Sequence, residues 1–501
     1  MTFEIQSGPF EPTWESLRTF KCPEWFRDAK FGIWAHWGPQ SLPMAGDWYA
    51  RNMYVEGHEQ YLHHWRHYGH PSKFGYKDIV KLWKAERFDP DALMDIYVKA
   101  GARYFVVLAV HHDNFDNWNS KYHRWNAVNF GPHKDIVGLF ERAARKRGLK
   151  FGVSEHLGAA FTWFSVNKGS DKTGPYAGIP YDGNDPEYED LYLPNREEFG
   201  KMGYTNNPWW HQRWFERIKD LIDQYHPDLL YTDGGVPFYW SEEAVRLYWP
   251  KGVEVVRANN PEPGLHIIAH LYNTSVKIHG ENQAVYTQKD PSPEVYRVGV
   301  LDIERGMQAD IAEYPWQIDT CIGNWHYHAR QPYKTPKHII DILINTVSKN
   351  GNLLLNFPLR PDGTLDDEEL YILACLAEWM EIHGEAIYGT RPWKVAGEGP
   401  LLAPESGPFK EAEIPWTEQD YRFTLKGNIL YAFQMKWPSN GKALIRSLAS
   451  DVSPKVQSVQ LLGFEGEIQF HQTWFGLGIR LPDKPVTEFA HCFRIELEER
   501  V

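Results

Sequence analysis

Cysteine is scarce. Only Cys22, Cys321, Cys375 and Cys492 occur in 501 residues, widely scattered and with no C-x-x-C pair. Such spacing excludes a disulfide framework and a thiolate-held zinc. Positive charge is also in short supply, with 53 lysines and arginines against 66 aspartates and glutamates, a net −13. Binding to a phosphate backbone needs a basic face, so no nucleic-acid partner is expected. No apolar run approaches the roughly 18 residues of a membrane span, so no membrane partner is expected either. The opening MTFEIQSGPF lacks a basic segment followed by an apolar one. The expected location is therefore cytoplasmic, or periplasmic or secreted with a leader already removed. Internal repeats and low-complexity tracts are missing too.

Aromatic residues, by contrast, are abundant: 22 Trp, 27 Tyr and 26 Phe, 15% of the chain. Aromatic faces stack on flat apolar surfaces, and the C–H face of a sugar is one such surface. A large core built with tryptophan would use the same residues. Length alone suggests about three units of roughly 150 residues, although one barrel can take about 250 or more.

The first three-quarters of the chain alternates short apolar runs with amphipathic stretches, the pattern of parallel β/α units. Eight candidate strands read FGIWAHWG, RYFVVLAVHH, LKFGVSEH, DLLYTDGG, HIIAHLYN, YRVGVLDIE, WQIDTCIG and GNLLLNFP. Eight is the strand count of a (β/α)8 barrel. After residue 393 helical periods stop, and short alternating runs punctuated by Gly and Pro predict a small antiparallel β-sandwich. Within it, KWPSNGKALIRSL reads as a hairpin turning at Asn440-Gly441. Two domains are expected, 1–393 and 394–501.

The ends of the apolar runs carry His36, His111–His112, Glu155–His156, Asp233 and Glu304. Barrel active sites are built at that C-terminal edge from several strands. Asp233, between LLYT and two glycines, can point into a barrel mouth; the plainer reading is a turn aspartate. In LDIERG, strand alternation puts Asp302 and Glu304 on one face and Arg305 on the other. Asp233 and Glu304 could supply the two carboxylates of a retaining glycosidase, about 5–5.5 Å apart. A barrel metallohydrolase is the rival reading, with His36, His111, His112, His156 and Asp233 as ligands. Against it, none of the candidate strands carries the H-x-H spacing common in such barrels, and adjacent strand histidines point to opposite faces unless the backbone is irregular there.

Five segments then follow in order: WFRDAKFGIWAHWGPQSLPMAGDWYARNMY, HHDNFDNWNSK, PDLLYTDGG, VSKNGNLLLNFPLRPDGTL and HGEAIYGTRPW. Together, from about Trp25 to Trp393, they resemble the retaining α-L-fucosidases of glycoside hydrolase family 29. The resemblance implies a barrel with a C-terminal β-sandwich and no metal or other cofactor. It also implies a fucosylated oligosaccharide or glycoconjugate as substrate. Carried over by position, Asp233 is the nucleophile and Tyr231 lies two residues before it. His36, His111 and His112 bind the sugar hydroxyls, and Asp47 with Trp48 matches an acidic-aromatic sugar-binding position.

The family's acid/base position is the least uniform, and DIERG resembles one form of it, which points to Glu304. A Trp-Glu pair used elsewhere reads Trp316-Gln317 here, and an amide cannot donate and recover a proton. Glu281 and Glu294 remain alternatives. Trp34, Trp316 and Trp325 are expected to desolvate Glu304 and, with the Asp233 charge, raise its pKa. Trp37, Trp48, Tyr49, Tyr231, Trp316 and Trp325 are placed beside the catalytic positions, and the long segment 167–190 is a candidate for contacting the leaving group. The expected activity is thus exo-α-L-fucosidase, the alternatives being an inactive sugar-binding relative and the metallohydrolase.

Overall fold

The computed structural model describes residues 3–249, 252–401 and 406–498. Eight parallel strands close into a barrel: β1 Phe31–Ala35, β2 Tyr104–Val110, β3 Lys150–Glu155, β4 Leu229–Thr232, β5 Val285–Gln288, β6 Val300–Asp302, β7 Trp316–Cys321 and β8 Gly351–Asn356. Their order around the barrel is the chain order, with β8 pairing back onto β1. Such strands are covered on both faces, which is why they read as near-continuous apolar runs. Every residue of FGIWA and YFVVLAV is buried.

Helices form the outer ring, among them α1 Pro90–Lys99, α2 Ile136–Lys146, α3 Pro208–Tyr225, α4 Glu262–His279, α5 Pro336–Ser348 and α6 Asp367–His383. Helix α3 shows how the boundaries are set. Asn207 accepts from the backbone N–H groups of Trp209 and Trp210, Pro208 occupies the first turn, and His226 ends the helix in the left-handed region. Among the described residues no helix is long and apolar enough to cross a membrane.

One expected strand is not a strand. HIIAHLYN lies inside α4, where Leu265, Ile268, Leu271, Tyr272 and Ser275 recur at helical spacing and are buried. A short apolar run fits either period, and here the length of the pattern decides for helix. The missing barrel strand is VYTQ, Val285–Gln288, only four residues long.

The C-terminal region starts with β9, Arg391–Glu398, whose span crosses the expected division at 393. It continues as β10 Tyr421–Lys426, β11 Ile429–Gln434, β12 Lys442–Ile445, β13 Val456–Leu461, β14 Phe470–Thr473, β15 Gly476–Arg480 and β16 His491–Leu497. Five of these form one antiparallel sheet, ordered β9-β10-β11-β16-β13, and three form a second, β12-β15-β14. Strand alternation gives the larger sheet two apolar faces. Leu430 and Ala432 meet Ile445 and Leu477 of the small sheet, whereas Tyr431 and Phe433 join the barrel's core. Asn440-Gly441 does not turn a hairpin: β12 pairs with β15, so this turn carries the chain from one sheet to the other.

Candidate active site

A cavity of about 520 Å³ opens at the C-terminal ends of the barrel strands. Asp233 follows β4 directly, and its backbone N–H donates to the Glu155 carbonyl at 3.1 Å. The chain turns at Gly234, with φ of +141°. A Cβ there would lie 2.2 Å from the Tyr204 hydroxyl, so only glycine fits. Beside it, Lys289 leaves β5 and its N–H donates to the Gly234 carbonyl at 2.7 Å.

Lys289 is the residue the sequence reading missed. Its buried ammonium donates to Asp233 Oδ1 at 2.7 Å and to Glu304 Oε2 at 2.6 Å, and stands 3.7 Å from Asp319. The two contacts together hold those Asp233 and Glu304 oxygens within about 5.3 Å of each other. That upper bound is below the roughly 6.5–9.5 Å that an inverting pair needs for its water, so the close pair is the retaining arrangement. On the other side, His112 Nε2 and His156 Nδ1 stand 3.2 and 3.1 Å from Asp233 Oδ2.

The two carboxyls are driven apart in acidity. Burial raises the Asp233 pKa, but Lys289, His156 and His112 outweigh it and hold the group well below the usual carboxylate range. Burial also raises Glu304, and with Asp319 and Asp233 nearby the Lys289 charge does not cancel it, leaving a value of about 7. The cation opposing protonation is thus Lys289 and not Arg305, which points away to Glu411 at 3.5 Å. An ionised carboxylate next to a protonatable one is the division of labour that double-displacement chemistry requires. Asp302, one layer lower in the barrel, accepts from Gln317, and burial and the neighbouring Asp319 push its carboxyl well above the usual carboxylate range.

Histidines form the cavity's other wall. The β2–β3 register shifts between Leu108 and Val110, and beyond it the backbone is irregular, with Asn114 at φ +62°. That irregularity lets both His111 and His112 line the cavity. His36 follows β1, its N–H donating to Asn356. Asp47 Oδ1 lies 2.6 Å from His326 Nδ1, 3.9 Å from His36 and 4.0 Å from His111. Burial pushes His36 and His111 well below the usual histidine range, so both are neutral imidazoles. A neutral imidazole offers one donor and one acceptor, as a sugar hydroxyl does. Both nitrogens of His36 and Nε2 of His326 are buried without a partner among the described residues. Buried polar atoms are costly unless something meets them, and a polyhydroxylated ligand would.

The same side chains could ligate a metal. His36, Asp47, His111 and His326 bring ligand atoms within 4.8 Å of one another, as do His111, His112 and His156.

Trp34, Trp48, Tyr231 and Trp325 line the cavity as expected of them. Trp316 does not. It begins β7 at the foot of the barrel, where its indole donates to the Lys349 carbonyl at 2.9 Å. Side-chain alternation says nothing about depth along a strand, and Trp316 lies at the wrong end. Trp37 and Tyr49 are likewise buried behind the wall, bonded to the Arg360 carbonyl and to His64. Glu281 precedes β5 and is exposed on the loop leading into it, bonded to Gln283. Glu294 is exposed at the rim and accepts from Tyr239. Segment 167–190 is pinned elsewhere: Asp171 accepts from Tyr61 and Tyr181, and Asp182 from Tyr54. None of its residues lines the cavity. His156 lines the cavity although the sequence offered it only as a metal ligand, and His326, beside Asp47, and Trp163 take part without having been assigned any role from sequence.

A parallel barrel whose mouth holds an ionised and a protonatable carboxyl, neutral histidines and aromatic walls defines a glycoside hydrolase. The α-L-fucosidase family model matches residues 1–385, and that of the α-L-fucosidase C-terminal domain matches 415–496. The chain belongs to the α-L-fucosidase family. It is 28% identical to human tissue α-L-fucosidase over 97% of this chain and 91% of that protein. To human plasma α-L-fucosidase it is 28% identical over 87% and 81%. The structure of Thermotoga maritima α-fucosidase in complex with fucose superposes with a TM-score of 0.71 at 26% identity, covering 97% of this chain and 99% of that one.

Proposed function

We propose that the protein is a retaining exo-α-L-fucosidase acting on terminal α-L-fucosyl residues of oligosaccharides or glycoconjugates. The observation that carries this reading is the pair of unlike carboxyls joined through Lys289 at the mouth of a histidine-walled cavity. Asp233 attacks the anomeric carbon while Glu304 gives its proton to the departing glycosidic oxygen. Glu304, now ionised, takes a proton from water, which attacks the same carbon and frees fucose and the Asp233 carboxylate. His36, Asp47, His111, His112 and His326 hold the ring hydroxyls, and Trp325 and Tyr231 shape the pocket around its apolar face.

The test uses Asp233→Gly with an aryl α-L-fucoside. Wild type should release the aryl group, the variant should not, and added azide should restore release by taking the vacated position. Equal activity of the variant without azide would overturn the nucleophile's assignment. The histidine–aspartate cluster favours a second reading, a metal-dependent hydrolase. Activity lost to a chelator and restored by zinc would support that reading instead.

A further inference from the structure

Beyond Asp233 and Glu304 the cavity continues along a wall of Trp240, Leu247, Tyr248, Trp249 and Phe409. The rings of Trp240 and Tyr248 lie 5.9 Å apart, those of Trp240 and Trp249 6.3 Å, and those of Tyr248 and Phe409 6.0 Å. Four of these residues come from the loop and short helix after β4. Phe409 comes from the segment that joins the barrel to the C-terminal domain. It is 54% exposed and sits at φ +57°, a conformation unfavourable for a phenylalanine.

Backbone hydrogen bonds explain why it is there. The Phe409 N–H donates to the Glu304 carbonyl at 2.9 Å, the Glu411 N–H to that of Arg305 at 2.8 Å, and Gly407 bonds Met307 in both directions. The buried Glu411 carboxylate anchors the segment through Lys334 at 2.7 Å and Thr320. The turn carrying Glu304 is therefore clamped by the interdomain segment, and that clamp sets the Phe409 ring at the cavity's edge.

We infer that this wall is the leaving-group site, that Phe409 is a specificity-determining residue in it, and that its occupant is uncharged with a flat apolar face. A pyranose presenting axial C–H groups or an aryl ring fits that description. The charge in the cavity argues against an anionic occupant: among the described residues lining it, Asp47, Asp233, Glu304 and Asp319 face one lysine, Lys289. This inference rests on the fucosidase reading.

Phe409→Ala removes the ring and leaves the backbone clamp intact. Wild type and variant are compared on α-L-fucosyl fluoride, which places no ring in the site, on 4-nitrophenyl and 4-carboxyphenyl α-L-fucosides, and on a neutral fucosyl disaccharide. For the variant, KM for the nitrophenyl substrate and the disaccharide should rise about 2- to 10-fold, the value of one aromatic contact, with fluoride unchanged. Phe409→Trp should restore KM, and wild type should prefer the neutral aryl substrate to the carboxylated one. Equal kinetics of Phe409→Ala on all substrates, or an equal loss on fluoride, would overturn the inference. So would a loss confined to the disaccharide with a shifted basic limb of the pH profile, because that is displacement of Glu304. A wild type that hydrolyses no fucoside, fluoride included, would instead sink the fucosidase reading beneath it.

Discussion

Replacing Lys289 by Met removes a cation that Asp233, Glu304 and Asp319 share. At an effective dielectric of about 20, unit charges at the observed 2.7 Å attract by about 6 kcal/mol. Asp233 shows 26% of its side chain to the cavity, and Lys289 itself bears a desolvation cost, so only part of that attraction survives. A quarter of it, about 1.5 kcal/mol, is already one pKa unit. The cation lowers both carboxyls, so its loss raises both. The acid limb of the pH profile of kcat/KM, set by ionisation of Asp233, should move to higher pH by about one unit or more. The basic limb, set by Glu304 near 7, should move in the same direction by a similar amount. The whole profile shifts alkaline and its maximum falls, while Lys289→Arg keeps both limbs close to wild type. The assay is aryl fucoside hydrolysis from pH 4 to 10, on protein whose fold is checked by circular dichroism. A folded Lys289→Met enzyme with both limbs unmoved would refute the electrostatic account.

Other expectations follow from the same geometry. Burial raises Glu304 from its ordinary 4.5 to about 7, so the folded state is penalised when this group ionises. The penalty is absent below the unfolded value and complete above the folded one, about 3 kcal/mol by linkage. Glu304→Gln should therefore raise Tm at pH 8 and lose most of that advantage by pH 5, with activity on the disaccharide lost throughout; equal Tm gains at both pH values would contradict this. Gly234→Ala must move Tyr204 and adopt an unfavourable φ, and should lower both Tm and kcat; a variant with wild-type kcat would show that the turn has slack. Trp316→Ala should cost about 3–5 kcal/mol in denaturant unfolding with KM unchanged. Trp325→Ala should raise KM with little change in stability, and the reverse pattern would mean that the two tryptophans are misplaced.

How much of this was legible in the sequence differs from residue to residue. Strand ends were, because runs such as RYFVVLAV, rich in β-branched and aromatic residues, favour a strand, and the polar residue closing each run then falls at the barrel's mouth. That placed His36, His111, Asp233 and Glu304. Lys289 was not, because VYTQ is too short to stand out as a strand and HIIAHLYN, with its longer apolar run, took its place. The joint placement of His111 and His112 needed a register shift that no pattern announces. Trp316 was misplaced although WQIDTCIG already begins at it: its place at the foot of the barrel was legible, and the likeness to a site-lining Trp-Glu pair overrode it. Contacts between distant segments, such as Phe409 on Glu304, exist only after the second domain has docked.

The central claim is that Asp233 becomes covalently fucosylated with Glu304 as its proton partner. The most direct measurement is the intact mass and peptide map of the protein after reaction with 2-deoxy-2-fluoro-α-L-fucosyl fluoride, whose fluorine slows release of the intermediate. The prediction is one added fluorofucosyl group, located on Asp233 and absent from Asp233→Gly. A label on another residue, or hydrolysis of this reagent with no adduct at any time, would contradict it.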